Sequence, residues 1–225
     1  MKIPTVACVL RSGGDYCSEH VVALYRGVRK YWDLSRLGYL RFICLTDVPF
    51  LQFGVENIPL IGDWPGWWSK MELFRPDITG DLLYIDLDTV IVGPLADIVE
   101  ARCLTVLRDF YDRGKPERQR LVGSGLMYLP EDMRVPIWRR WLLDPQGHMT
   151  RFKAGGDQAF LQAFVEKEAA RWQDLLPGQV VSYKVHIKPT GKAPAGSRVV
   201  CFHGLPRPWK VPPFWERNEE AATDG

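Results

Sequence analysis

Two aspartates, Asp86 and Asp88, stand one residue apart in the stretch LLYIDLDTVIVGPL. The apolar run Leu82–Ile85 predicts a buried strand that ends just before them, and apolar residues resume at Val90. Carboxylates in an i, i+2 relation can both face one cleft where the backbone bends, and their oxygens are ligands that Mg²⁺ and Mn²⁺ accept. The stretch therefore predicts half of a divalent-metal site. The alternative is that the two acids cap a turn and face water.

A histidine near the end of the chain offers a third metal ligand. His203 directly follows the predicted strand SRVVCF and begins the loop HGLPRPW, which contains Gly204 and Arg207. Imidazole is a ligand for Mn²⁺, and a guanidinium in such a loop can pair with phosphate oxygens. We therefore predict that His203 is a metal ligand, with a hydrogen-bonded histidine at a strand end as the alternative.

The segment FKAGGDQAFLQAF combines a flexible turn with two polar side chains. Gly155 and Gly156 permit close approach of the backbone to a ligand. Asp157 and Gln158 follow them, and together they would offer a carboxylate and an amide beside that ligand. Because aspartate is also a preferred N-cap residue, a purely structural role for Asp157 is the alternative.

The segment GDWPGWWSKMELF has three tryptophans within five residues, followed by Lys70. We expect one of these tryptophans in the core. An exposed aromatic ring beside a cleft would suit a sugar, because the apolar face of a sugar stacks on such rings. Lys70 would reach a phosphate if it lies on a helix that points into the cleft, and otherwise it is a solvated surface lysine.

The elements that position these residues are predicted by hydrophobic periodicity. A strand at IPTVACVL, a helix at HVVALYRGVRKYW and a strand at LRFICLT form a βαβ unit, which favours a parallel sheet flanked by helices. Helices are also predicted through EDMRVPIWRRWLLD and from about Asp157 to a stop at Pro177. The remaining strands are predicted at VENIPLI, DLLYIDL, CLTVL, LVGSGLMYL, VVSYKV and SRVVCF, in a mixed sheet. Ligands bind such sheets at the carboxyl ends of strands, where RSGGDY, Thr46-Asp47 and the two acids lie.

The composition bounds the class of protein. With 225 residues and 46% hydrophobic content, the chain can bury one sizeable core, so we expect one domain over residues 1–215 and a polar tail over 216–225. A formal net charge of +2 gives little support to nucleic-acid binding. No segment approaches the roughly 20 apolar residues of a transmembrane span. A cytoplasmic location is predicted by scattered cysteines without a CxxC pair, namely Cys8, Cys17, Cys44, Cys103 and Cys201.

Four motifs, LLYIDLDTVIVGPL, GSGLMYL, GGDQAFLQAF and FHGLPRPW, occur in the order and spacing of the GT-A glycosyltransferases. The sequence most resembles the retaining, glycogenin-like and bacterial galactosyltransferase-like branch (glycosyltransferase family 8-like), from about Ile3 to Trp209. The resemblance implies an α/β, single-domain GT-A fold (nucleotide-diphospho-sugar transferase, Rossmann-like) with a mixed central sheet flanked by helices. It also implies a hexosyltransferase that uses a nucleotide-sugar, such as a UDP-hexose, and retains configuration.

The resemblance implies a role for each matched residue. Asp86, Asp88 and His203 would bind Mn²⁺ (or Mg²⁺), which bridges the diphosphate of the donor. Asp157 and Gln158 would lie near the reacting face of the sugar. The nucleotide-sugar donor would be bound by Asp15, Tyr16 (stacked on the base), Lys70, Asp86, Ser124, Gly125, Gly204 and Arg207. The acceptor is an unspecified glycan, lipid-linked molecule or protein.

The sequence departs from this family at two places. Gly123 stands where the family usually has Asn in an Asn-Ser-Gly loop. The motif His-x-x-Gly-x-x-Lys-Pro-Trp is shortened, because Gly204 directly follows His203 and Arg207 replaces Lys. Arginine still suits a diphosphate.

Two other classes of function compete with sugar transfer. In a haloacid-dehalogenase-type phosphatase, Asp86 would attack phosphorus and Asp88 would act as acid and base. That nucleophile usually ends the first strand of its fold, whereas Asp86 follows a complete βαβ unit. In a non-catalytic GT-A-like module, the same residues would hold a nucleotide or a glycan without turnover.

Overall fold

The computed structural model describes residues 3–111, 121–165, 167–213 and 215, so the predicted tail 216–225 lies outside the described residues. The described residues form ten strands in two sheets. In chain order they are β1 (Thr5–Leu10), β2 (Phe42–Thr46), β3 (Glu56–Pro59), β4 (Leu82–Ile85), β5 (Thr89–Ile91), β6 (Thr105–Arg108), β7 (Val122–Leu129), β8 (Ala170–Arg171), β9 (Val180–Ser182) and β10 (Val199–Cys201).

The larger sheet has seven strands in the order β3-β2-β1-β4-β7-β6-β8. Strand β1 pairs in parallel with β2 and β4, whereas β7 runs antiparallel to β4 and β6. The smaller sheet has the order β5-β10-β9, in which β10 is antiparallel to β5 and parallel to β9. The predicted mixed sheet is therefore confirmed.

Helices cover both faces of the larger sheet. They are α1 (Ser18–Lys30), α2 (Leu34–Leu37), α3 (Ala96–Val99), α4 (Glu131–Leu143), α5 (Pro145–Arg151), α6 (Gly156–Val165), α7 (Trp172–Leu175), a long 3₁₀ helix (Gly66–Phe74), a short 3₁₀ helix (Pro208–Lys210) and a π-helical turn (Tyr183–Ile187). None of the described helices has the length and apolar character that crossing a membrane requires.

The core consists of two apolar layers, one on each face of the larger sheet. On one face, α1 buries Val21, Leu24 and Val28, whose helical spacing predicted that helix. On the other face, the long 3₁₀ helix and α4 bury Trp68 and Trp138 in a second cluster. Strand β1 contributes alternate residues to the two layers, because successive side chains of a strand point to opposite faces.

The prediction of one helix from Asp157 to Pro177 is wrong. Helix α6 ends at Val165, and the chain then forms β8, which pairs in parallel with β6. The fully buried Trp172 donates a hydrogen bond from its indole nitrogen to the carbonyl oxygen of Leu126 (3.0 Å). Strand pairing and burial of this indole outweigh the local helix propensity, which is only a weak determinant.

The cysteines are all free thiols, of which Cys8, Cys44 and Cys201 are buried. Cys103 is exposed, because it lies in the bend before β6 rather than in the strand.

Candidate active site

The two aspartates lie in a tight turn that joins the two sheets. Strand β4 of the larger sheet ends at Ile85, and β5 of the smaller sheet begins at Thr89. The amide of Asp86 donates to the carbonyl oxygen of Gly125 (2.9 Å), and the amide of Thr89 donates to that of Asp86 (3.0 Å). The buried side chain of Leu87 anchors the turn. Both carboxylates therefore lie at the carboxyl end of β4, as predicted.

A cavity of about 1040 Å³ opens at this edge of the larger sheet. This volume is just above the range typical of ligand pockets, roughly 300–1,000 Å³. The predicted site residues that line the cavity are Asp15, Tyr16, Lys70, Asp86, Asp88, Gly125, Asp157, Gln158, His203, Gly204 and Arg207. The predicted donor-binding residue Ser124, by contrast, is fully buried and does not line the cavity.

Lys70 lies at the centre of the charged cluster. Its ammonium nitrogen is 2.9 Å from Oδ1 and 3.1 Å from Oδ2 of Asp86, 3.3 Å from Ser124 Oγ and 3.7 Å from Asp157 Oδ2. Burial by itself lowers the pKa of Lys70, but the Asp157 and Asp86 carboxylates outweigh burial and raise that pKa above its usual value. Lys70 is therefore a fixed cation rather than a solvated surface lysine.

Asp157 is the second carboxylate close to the ammonium of Lys70. The residue is only 3% exposed, and its carboxylate accepts a hydrogen bond from Ser124 Oγ (2.6 Å). Burial raises the pKa of Asp157, while Lys70 and Ser124 act in the opposite direction. Asp157 belongs to α6 itself, which begins at Gly156, so its side chain is not the N-cap. Its neighbour Gln158 is exposed and lines the cavity.

A second cation, Arg207, pairs with the other aspartate. Its Nη1 donates to Asp88 Oδ2 (2.5 Å), and its Nη2 donates to Asp15 Oδ2 (3.3 Å). Its guanidinium carbon lies 4.8 Å from the centre of the Tyr16 ring, a cation–π distance. Within the described residues, the buried Nε of Arg207 has no hydrogen-bond partner.

The pKa of Asp88 reflects its burial and the charged groups around it. Burial is the main reason why the pKa of Asp88 is raised, and the neighbouring Asp86 adds to the rise, while Arg207 opposes it. The phenol of Tyr16 also has a raised pKa, because it is partly buried and faces both carboxylates. The site therefore alternates carboxylates with cations that offset much of their charge.

His203 lines the same cavity but contacts other partners. Its Nε2 is 2.6 Å from Ser182 Oγ, and its ring stacks on Phe110 with centroids 5.3 Å apart. Burial, assisted by the nearby Lys184, lowers the pKa of His203 to about 4. The imidazole is therefore neutral at neutral pH, which is the form that binds metals.

The predicted metal ligands fit a divalent ion only in part. Asp86 and Asp88 offer carboxylate oxygens on one wall, the donors that Mg²⁺ and Mn²⁺ prefer. His203 does not join them in this arrangement, and across the described ranges no three His, Cys, Asp or Glu side chains are grouped closely enough to share one ion. The Nε2 atom of His203 is instead engaged by the hydroxyl of Ser182.

Glycines set the distances around the acids. A Cβ atom added at Gly125 would lie 3.2 Å from Asp86 Oδ2, so the absence of a side chain lets this carboxylate lie against β7. At Gly123, where the glycosyltransferases that the sequence resembles usually have Asn, an added Cβ would lie 3.0 Å from the Cβ of Leu107. Close approach of β6 therefore explains the glycine at this position.

Several residues of the site were not predicted from the sequence. Tyr84 donates a hydrogen bond to Asp86 Oδ1, and the period of two along β4 was a signal for it, because residues two apart share a face. Phe110, which stacks on His203, carried no such signal. His20 and Trp209, whose ring centroids are 3.6 Å apart, lie beside Tyr16.

The tryptophan-rich segment divides as expected between core and cleft. Trp68 is buried and stacks on Trp141, with ring centroids 5.4 Å apart, and Trp64 packs edge-on against the same Trp141 ring. Trp67 lines the cavity and is 55% exposed.

Comparisons with known proteins bear on the fold. No protein-family profile matches the chain, and no curated protein matches its sequence. The chain is similar to the galactosyltransferase LgtC, solved with donor and acceptor sugar analogues, with a TM-score of 0.67 and 13% identity over 97% of this chain and 95% of that chain. It is also similar to apo-form glycosyltransferase GlyE of Streptococcus pneumoniae TIGR4, with a TM-score of 0.65 and 16% identity over 99% of this chain and 61% of that chain.

A third similar structure is the bifunctional glycosyltransferase WbbM in its apo form, with a TM-score of 0.64 and 10% identity over 99% of this chain and 50% of that chain. The chain thus spans about three fifths of the length of GlyE and half of that of WbbM. The mixed seven-stranded sheet and its flanking helices match what the sequence resemblance implied. The chain therefore has the GT-A-type fold of these glycosyltransferases.

Proposed function

We propose that the chain is a metal-dependent glycosyltransferase that moves a sugar from a nucleotide-diphosphate donor, a UDP-hexose, to an acceptor. The observation that carries the proposal is the alternation of charges in one cavity of a GT-A-type fold, where Lys70 pairs with Asp86 and Arg207 pairs with Asp88. Cations held in position in a partly desolvated site stabilise developing negative charge more than mobile surface cations do.

The chain's own residues suit the charge changes of this reaction. The bond between the anomeric carbon and the β-phosphate oxygen breaks, and its electron pair stays on the diphosphate. Lys70 and Arg207 would bind that charge through charge-assisted hydrogen bonds. A bond forms between the anomeric carbon and the acceptor hydroxyl oxygen, and the hydroxyl proton passes to the departing phosphate. No protein general acid is then needed.

The other predicted residues take complementary roles in this proposal. Asp15 and Tyr16 would bind the nucleoside, with the base against the Tyr16 ring. Gln158, which is exposed at the cavity, would lie beside the reacting sugar. Asp157 would act through Lys70, because its carboxylate is buried against Ser124.

We propose Mn²⁺ or Mg²⁺ as the cofactor, held by Asp86 and Asp88. His203 would complete the site only if its imidazole exchanged Ser182 for the ion. When bound, the ion would act as a Lewis acid on the diphosphate.

Further details of the proposal rest on the family resemblance and on the cysteines. Retention of configuration and an acceptor that is a glycan, a lipid-linked molecule or a protein come from the resemblance. The five free thiols support the predicted cytoplasmic location.

The phosphatase alternative has less support. Its nucleophile would end the first strand of the fold, whereas Asp86 follows β4, which lies between β1 and β7. Asp86 is also held by Lys70 and Tyr84, which would make it a poorer nucleophile. The non-catalytic module stays as an outcome that the experiment below separates.

The experiment is a thermal-shift screen of UDP, GDP, ADP and CDP with and without Mn²⁺, followed by hydrolysis of the matching nucleotide-sugars. A ligand that binds only the folded state raises the melting temperature, by roughly 5–10 °C at 100 times its Kd. We expect a Mn²⁺-dependent rise with one nucleotide, slow release of the diphosphate from its sugar, and loss of both in Asp88→Asn. Asp132→Asn, an exposed aspartate on α4, is the matched control.

The outcomes separate the three classes of function. A Mn²⁺-dependent shift without any hydrolysis or transfer would indicate a binding module. No shift with any nucleotide, combined with Mg²⁺-dependent cleavage of a phosphate monoester, would indicate the phosphatase. An unchanged shift in Asp88→Asn would exclude this aspartate from the metal site.

A further inference from the structure

Trp67 is an exposed aromatic side chain on the wall of the proposed catalytic cavity. More than half of its surface is accessible, while its neighbours Trp64 and Trp68 pack against Trp141. A large apolar ring that stays exposed in a cleft lacks the stabilisation that its burial in the core would provide. The exposed ring is therefore a candidate contact for a ligand.

The geometry of the long 3₁₀ helix relates Trp67 to the charged cluster. Residues three apart in such a helix lie one above the other on the same face, and the rise of about 2.0 Å per residue separates them by roughly 6 Å. Trp67 and Lys70 are three apart. The backbone of Trp67 is thus one helical turn from that of Lys70, whose ammonium contacts Asp86 and Asp157.

Contacts between neighbouring residues define an order along the cavity wall. Tyr16 and Arg207 contact each other beside the pair of aspartates, and Lys70 lies in the middle of the charged cluster. A Cβ atom added to Gly156 would lie 2.5 Å from Trp67 Nε1, so the indole rests directly on the turn before Asp157. Trp67 therefore contacts the turn next to Asp157, whereas Tyr16 contacts Arg207, the partner of Asp88.

We propose that Trp67 is the platform on which a sugar ring of the acceptor stacks, so that the acceptor is a neutral glycan. This inference rests on the proposed function and specifies the acceptor class of the same cavity. The apolar face of a pyranose fits an indole, as other rings do. The exposed amide of Gln158, next to the turn that supports the indole, offers both a donor and an acceptor to sugar hydroxyls.

The cations that line the cavity are already paired with carboxylates, which favours a neutral acceptor over an anionic one: Lys70 with Asp86, Arg108 with Asp174 and Arg207 with Asp88. Arg11 lines the cavity, but its guanidinium is already paired with two carboxylates, at 3.5 Å from Asp47 Oδ2 and in contact with Asp63. Asp63 is almost fully exposed on its side chain. An acceptor with a phosphate or a carboxylate would have to displace one of these carboxylates to reach a cation.

The test compares Trp67→Ala and Trp67→Phe with the wild type, and Tyr39→Ala serves as the matched control, because Tyr39 is an exposed aromatic residue outside the cavity lining. The probes are methyl glycosides of glucose, galactose and mannose as neutral acceptors, and methyl glucuronide as the anionic one. Binding is measured by saturation-transfer NMR in the presence of the nucleotide. Transfer and donor hydrolysis are measured with the nucleotide-sugar that the hydrolysis assay selects.

We expect at least one neutral glycoside to bind the wild type and the glucuronide to bind more weakly. Trp67→Ala should weaken glycoside binding, or raise its KM in transfer, by about 3- to 10-fold, the size of one aromatic contact. Trp67→Phe should recover most of this loss, and donor hydrolysis should fall by a smaller factor than transfer in either variant. Tyr39→Ala should resemble the wild type in all three assays.

Three results would overturn the proposal. One is equal glycoside binding by the wild type and Trp67→Ala, and another is a parallel loss of hydrolysis and transfer. The third is the absence of binding by every neutral glycoside. If the wild type neither binds a nucleotide nor hydrolyses a donor, the proposed function fails as well. Normal hydrolysis with no effect of Trp67→Ala defeats the acceptor inference alone.

Discussion

At the scale of single residues, the site depends on a cation held between carboxylates. The side chain of Lys70 is largely buried, with 13% of its surface exposed. Lys70 is charged because Asp157 and Asp86 together outweigh the cost of removing an ammonium from water. Asp157 does not need to touch a substrate to matter, because its hydrogen bond to Ser124 and its proximity to Lys70 fix where that charge lies.

Asp157→Asn should therefore lower turnover while leaving nucleotide binding within a few-fold of the wild type. The amide oxygen introduced at position 157 can still accept a hydrogen bond from Ser124 Oγ. The amide has no negative charge, however, so it no longer attracts the ammonium of Lys70. We expect a decrease in kcat of roughly 10²-fold, comparable to removing one preorganised electrostatic contact. The measurement is donor hydrolysis, with thermal shift for binding.

Asp132→Asn, on the exposed surface of α4, controls for the loss of one negative charge. If Asp157→Asn binds the nucleotide normally and turns over normally, the role of Asp157 through Lys70 is wrong. If it fails to fold, the carboxylate is chiefly a structural group.

At the scale of elements, the long 3₁₀ helix presents one face to the cleft and another to the core. Lys70 and Trp67 line the cavity, while Met71 and Phe74 are buried. Its carboxyl end needs outside support, because the last carbonyl groups of a helix have no partners within it. Arg134 of α4 supplies that support and is itself 1% exposed.

Arg134→Met should destabilise the protein strongly. The guanidinium donates to the carbonyl oxygens of Leu73 (3.0 Å), Arg75 (3.3 Å), Ile78 (2.6 Å) and Gly80 (2.6 Å). Methionine fills part of the volume but leaves these acceptors unpaired, at a cost of about 1–3 kcal/mol for a buried group left without its partner. We expect the free energy of unfolding in urea to fall by about 3 kcal/mol or more.

Arg139→Met on the same helix is the matched control, because Arg139 is exposed and its replacement should change stability by less than about 0.5 kcal/mol. Equal urea midpoints for the two variants would show that the carbonyl groups find other partners.

At the scale of the whole molecule, the cleft lies where the two sheets meet. The Asp86–Asp88 turn leaves the larger sheet and enters the smaller one at β5, and β10 of the smaller sheet leads directly into the loop that carries His203 and Arg207. Arg207 then returns to Asp88, which links the end of β10 with the end of β4. The two walls of the site thus come from different sheets.

A nucleotide diphosphate with Mn²⁺ should therefore slow amide hydrogen exchange in residues 84–92 and 199–209 together. A ligand that contacts both walls suppresses the opening of each, because local opening governs exchange. Helix α4 lies outside the cavity lining and provides an internal control in which exchange should not change. Protection of only one of the two segments would mean that the ligand binds a single wall.

The amino-acid sequence by itself determined the apolar strands, helix α1 and the positions of the polar residues along the chain. Asp86 and Asp88 could be placed at a strand end because alternation and apolar runs reflect local backbone periodicity. The same logic placed Gly155, Gly156 and Asp157 together at the start of a helix. The resemblance in four motifs added the fold, which the structural likenesses then established.

Only the tertiary structure decided which partner each side chain contacts. The contact of His203 with Ser182 and the pairing of Lys70 with Asp157 join residues that lie far apart in the chain. The break between α6 and α7 had the same origin, since pairing of β8 with β6 and burial of Trp172 overrode the local helical pattern. Such contacts depend on how elements pack in three dimensions, and no local periodicity encodes them.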